Sequence, residues 1–113
     1  MINNVTLEGK IVSDIQLNTT KNKNIPVANF RVMNNDKSMP NTLFIDVEAW
    51  GGEAEKVHSL ATRGDFVVID GQLRRDCWES KNNEEEFKQR SKIKITATKI
   101  VVSKRSVKSE TIF

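Results

Sequence analysis

Leu43-Phe44-Ile45-Asp46-Val47-Glu48-Ala49-Trp50 alternates in the manner of a half-buried strand. Leu43, Ile45, Val47 and Ala49 form an apolar face suited to a core, and Phe44, Asp46, Glu48 and Trp50 form the opposite, wet face. The wet face thus carries two large aromatics. A single exposed ring on a strand commonly covers a loop or meets another subunit. Two rings at this spacing on one pleated face stand ~20 Å apart, too far to touch each other but suited to separate bases of an extended chain. The stretch therefore points towards single-stranded nucleic acid.

Towards the N-terminus, Val5, Leu7, Gly9 and Ile11 alternate with Thr6, Glu8, Lys10 and Val12 and predict a first strand, with Gly9 placed for a bend or bulge. A polar loop ending in the turn-rich Thr19–Asn24 precedes a second strand from Ile25 to Met33, whose Pro26 belongs at the start or edge. Asn34 to Thr42 is another polar loop, and Gly51-Gly52 ends the aromatic-bearing third strand. Beyond it, Glu53 to Arg63 places Ala54, Val57, Leu60 and Ala61 at helical spacing, with acids at its beginning, Arg63 in its last turn and Gly64 just past its end. Phe66 to Leu73 predicts a fourth strand whose pattern runs on towards Trp78. Glu79 to Arg90, with three successive glutamates among lysines, reads as a hairpin loop before a fifth strand from Lys92 to about Val102.

Three strands, a helix and two strands is the order of an all-β, five-stranded OB-fold Greek-key barrel with one α-helix between strands 3 and 4. In that barrel the face of strands two and three and the loops joining strands one to two and four to five bind ligand. Residues 1–103 are assigned to this domain and residues 104–113 to a short basic tail. A chain of 113 residues buries on the order of two-thirds of its unfolded surface. A formal charge of +3 permits contact with phosphates without requiring it. Cys77 is the one cysteine, which excludes an intrachain disulfide; it is read as buried and inert, and with the single His58 it cannot make a zinc site without other ligands. No segment approaches the ~20 apolar residues needed to cross a bilayer, so a soluble, cytoplasmic, nucleoid-associated protein without a cofactor is expected.

Val5-Thr6-Leu7-Glu8-Gly9 with Asp14, Val27-Ala28-Asn29-Phe30, Trp50-Gly51 with Ala54-Glu55, Arg63-Gly64-Asp65, and Gly71-Gln72-Leu73-Arg74 with Trp78 together resemble the bacterial single-stranded DNA-binding protein (SSB) family of replication and repair, over roughly residues 3 to 102. The resemblance implies base stacking on Phe44, Trp50 and Trp78, a phosphate contact from Arg74, assembly as a tetramer or dimer, and partner proteins of replication or recombination. It also exposes departures. A stacking position of the family falls at Ser38, and positions often basic carry Asn18, Asp46 and Cys77. The family's long acidic tail is expected to be largely absent: Glu110-Thr111-Ile112-Phe113 is a faint echo beside Lys104, Arg105 and Lys108.

Stacking tolerates any sequence because every base has a π-face, at ~1–3 kcal/mol per contact. The residues assigned to DNA are Phe44, Trp50, Trp78 and Phe87 as rings and Lys10, Arg31, Arg74, Arg75 and Lys94 as cations. Phe87 stands alone in a charged loop, either as a staple pinning the hairpin or as a fourth stacking ring. Trp78 either stacks or closes the barrel end. Two other readings stay open: a nuclease using Asp46, Glu48 and Asp70 to hold a divalent cation, and an adaptor resembling the primosomal replication protein B family, acting through protein partners. The aromatic trio separates the adaptor from a DNA binder.

Overall fold

The computed structural model describes residues 1–82 and 86–103, with residues 80–82 and 86–89 described by backbone alone. The proposed tail at 104–113 and Glu84-Glu85 lie outside the described residues. Among the described residues, six strands and one helix follow in the order β1 (Val5–Ile11), β2 (Gln16–Thr19), β3 (Pro26–Asn34), β4 (Leu43–Trp50), α1 (Gly52–Leu60), β5 (Phe66–Asn82) and β6 (Glu86–Ser103). Neighbouring strands run β1-β5-β6-β4-β3-β2, and a further pairing of β1 with β3 closes five of them into a ring. This is the expected OB barrel.

Closure depends on two tight approaches. At Gly9 an added Cβ would lie 2.9 Å from the Met33 carbonyl oxygen, so glycine lets β1 cross close to β3, where Lys10 faces Met33 and Ile11 faces Val32. Gly71 sits against the Thr96 carbonyl oxygen and Ala97 Cα, with no room for a side chain. At Gly9, the place expected for a bend or bulge, the β1 pairings with β3 and β5 show no register shift; the shift lies in β5, between Asp70 and Gly71.

Inside the ring, Ile11, Val32, Val47, Ile69, Ile95 and Ile100 are fully buried, the alternate residues of strands whose other face is wet. Helix α1 closes one end of the barrel by inserting Ala54 and Val57. Glu53 fixes its approach: its Oε1 accepts the Ile100 backbone N–H at 3.0 Å. Gly51 adopts φ 63°, a left-handed conformation that favours glycine, and starts the helix without a side-chain cap.

Four sequence expectations are corrected. The loop after the first strand contains β2, which pairs with β3 from Gln16↔Asn29 to Thr19↔Pro26; its four exposed residues carry no apolar alternation. Helix α1 stops at Leu60, so Arg63 is not in its last turn. Ala61 is extended, and a turn follows in which Asp65 Oδ2 accepts the Thr62 N–H at 3.0 Å. Leu43 is 45% exposed rather than core, because the first residues of β4 extend past the buried interior. Where the sequence predicts a loop over Glu79–Arg90, Glu79–Asn82 and Glu86–Gln89 pair as a ribbon, from Glu79↔Gln89 to Asn82↔Glu86. Cross-strand backbone pairing, continuous with that of the barrel, holds it rather than burial. The ribbon lengthens the molecule: the radius of gyration is 16.3 Å, against ~13 Å for a compact chain of this length.

Candidate nucleic-acid interface

Register decides which side chains share a face, because directly opposed residues point the same way and neighbours along a strand point apart. Across β3 and β4, Met33 faces Phe44, Arg31 faces Asp46 and Asn29 faces Glu48. Asp46 and Glu48 face Lys94 and Thr96 of β6, which in turn face Arg74 and Gln72 of β5. Asp76 and Trp78 continue this side of β5, opposite Lys92 and Arg90. One outer surface over four strands thus carries Phe44 (49% exposed), Trp50 (42%) and Trp78 (47%). Lys10 joins it through β1, opposite Met33, which is opposite Phe44.

Among the sequence-assigned cations the structure distinguishes several environments. Arg31 is half exposed, 3.7 Å from Asp46, with its guanidinium carbon 5.8 Å from the Phe44 ring centre, a cation–π distance. Lys92, also half exposed, pairs with the other oxygen of Asp46. Arg74 is exposed on the aromatic face, but Arg75 faces Ile93 and lies on the reverse side with Leu73 and Cys77. Cys77 is exposed, not buried as expected, because the ribbon there has left the barrel core. Phe87 pairs with Lys81 along the ribbon, and its side chain is outside the described residues.

Lys94 differs from the rest. Its side chain is only 15% exposed, and Nζ lies 3.0 Å from Glu48 Oε1 and 2.7 Å from Asp76 Oδ2. Burial works to lower its pKa, but hydrogen bonds and attraction to Asp76 and Glu48 outweigh it, so the ammonium is held above its ordinary value. Glu48 Oε1 also accepts the Trp50 indole N–H at 3.1 Å. The residues missed as part of the site are therefore Asp76 and the structural role of Glu48. Their signal was present as acids and lysines at i, i+2 spacing, Asp46/Glu48 and Lys92/Lys94, but matching them requires knowing that β4 and β6 are adjacent.

Ser38 does not offer a surface for stacking. Its backbone N–H and hydroxyl both donate to Asp36 Oδ1, at 3.0 and 2.8 Å, and these bonds hold the Asp36 carboxyl below its ordinary pKa. The three acids of the nuclease reading are not brought together. Asp46 is held by Arg31 and Lys92, Glu48 by Lys94 and Trp50, and Asp70 accepts the Thr6 hydroxyl at 2.8 Å. Among the described residues no group of three or more His, Cys, Asp or Glu could hold a metal, and no helix is long and apolar enough to cross a membrane.

Comparisons with known proteins agree with this geometry. A single-stranded DNA-binding protein of Treponema pallidum (strain Nichols) is 30% identical over 104 residues, covering 88% of this chain and 56% of that protein. One from Corynebacterium glutamicum is 30% identical over 90 residues, covering 72% of this chain and 40% of that protein. The chain thus spans about half the length of these relatives. The crystal structure of an SSB domain from Synechococcus sp. superposes with a TM-score of 0.69 at 22% identity, covering 88% of this chain and 94% of that one, a likeness of fold. The single-strand binding protein family model matches residues 2–103, nearly the whole chain, and the protein belongs to that family.

Proposed function

We propose that the protein binds and protects single-stranded DNA without strong sequence preference during replication, recombination or repair, as a non-catalytic binder in the bacterial cytoplasm. The observation that carries this reading is the placement of Phe44, Trp50 and Trp78, each between 42% and 49% exposed, on one continuous outer face. Solvent-exposed rings of this size, interspersed with cations, form a platform that stacks bases regardless of sequence and follows the backbone electrostatically. Arg31, Arg74 and Lys10 stand beside the rings and supply phosphate contacts. A trio of stacking rings exceeds what an adaptor working through protein partners needs.

A family-like dimer or tetramer is part of the proposal. Leu73 and Ile93, 43% and 50% exposed, are diagonal neighbours on the reverse side of the β5–β6 ribbon and offer it an apolar contact. Contact with replication or recombination proteins extends the same reading. The test is titration with oligo-dT of increasing length alongside a sizing measurement. Saturation at a defined number of nucleotides per subunit, in an oligomer, is expected. No binding to single strands of any length overturns the reading.

A further inference from the structure

We infer that Glu48 is the positioning residue of Trp50, and that Lys94 acts on the DNA face as the cation that fixes Glu48 rather than as a phosphate contact. This rests on the proposed stacking of bases on Trp50. Residues two apart on a strand share a face ~6.6 Å apart, within reach of a glutamate carboxylate and an indole edge. Glu48 Oε1 accepts the indole N–H at 3.1 Å and is itself held by Lys94 at 3.0 Å. Lys94 is anchored in turn on Asp76 at 2.7 Å. Trp50 is 42% exposed, so packing constrains only part of its ring and this bond to its edge orients the rest. A platform oriented in advance avoids the ordering cost that a mobile ring meets on binding.

Charge separates Lys94 from the other cations of the face. Glu48, Lys94 and Asp76 together sum to one negative charge, and the side chains of Glu48 and Lys94 are 13% and 15% exposed. A phosphate approaching Lys94 meets two carboxylates already in place. By contrast Arg31, Asp46 and Lys92 sum to one positive charge with both cations half exposed. Lys94 also joins the two tryptophan-bearing strands: Glu48 lies two residues before Trp50 on β4, and Asp76 two before Trp78 on β5.

The experiment compares Glu48→Gln with Glu48→Leu, two neutral variants of which only the first retains an acceptor for the indole. Binding of oligo-dT is measured in the native and Trp50→Phe backgrounds, after each variant is shown to keep its thermal transition. Loss of one hydrogen bond predicts that Glu48→Leu binds about three- to tenfold more weakly than Glu48→Gln, and that the difference vanishes with Trp50→Phe. Lys94→Met is expected to move the Trp50 indole N–H resonance and leave the slope of log affinity against log salt unchanged. A slope reduced by ~0.7, the loss of one phosphate contact on a single strand, overturns the assignment of Lys94. Equal affinities of the two Glu48 variants, with Trp50→Ala impaired, overturn the role of Glu48 alone. Unchanged affinity in Trp50→Ala overturns both the stacking reading and this inference.

Discussion

Arg31 has two partners at once, the Asp46 carboxylate at 3.7 Å and the Phe44 ring at 5.8 Å, and the balance between them sets how strongly the face attracts phosphate. Asp46→Asn releases both Arg31 and Lys92, and exposed pairs of this kind hold each other only weakly. We therefore expect oligo-dT binding at low salt to tighten about two- to fivefold, with a salt dependence steeper by up to ~1.4 if both freed cations reach phosphates; affinities measured over a salt series check both. Truncating a ring has the opposite sign. Trp50→Ala and Trp78→Ala should each weaken binding by ~1–3 kcal/mol, with Phe44→Ala at the lower end of that range because its ring is smaller, as read by titration of folded variants. Phe44 and Trp50 are recognisable in the sequence because strand alternation alone exposes them. The ion pairs beneath them are not, because each joins residues on strands far apart in the chain.

Strands β5 and β6 carry the largest departure from a compact barrel, and the register shift at Asp70/Gly71 lies within the ring, where the pairing of β5 with β1 ends and that of β6 with β4 begins. A methyl group on Gly71 would strike backbone atoms of Thr96 and Ala97, which cannot swing aside as a side chain can. Gly71→Ala should cost ~2–3 kcal/mol and lower the melting temperature on the order of 10–15 °C, measurable by calorimetry. A second expectation concerns Lys94, held between Glu48 of β4 and Asp76 of β5 with Arg74 opposite it. Its folded pKa is raised above the ordinary 10.5, so its contribution to stability is complete below that pH and is lost as pH rises through the folded value. Wild type and Lys94→Met should therefore differ in stability by a constant amount from neutral pH to about 10, and converge only above it. The strands, the helix and their order follow from apolar alternation and spacing. Strand β2 and the ribbon escape that reasoning because their residues are polar on both faces, and pairing with a neighbour, not burial, makes them strands.

The molecule combines a closed barrel, which leaves few free strand edges, with one outer face on which rings, cations and carboxylates are interleaved. Both tryptophans of the chain, Trp50 and Trp78, lie on that face, and there is no tyrosine. Intrinsic emission is therefore a reporter of the face itself, without background from elsewhere in the barrel. A face built for splayed single strands should ignore paired bases, whose π-surfaces are covered by their neighbours in the stack. Titrating the protein with oligo-dT and with a blunt duplex of the same length, at equal salt, should give strong quenching by the single strand and almost none by the duplex; equal quenching by the two would contradict base stacking on Trp50 and Trp78.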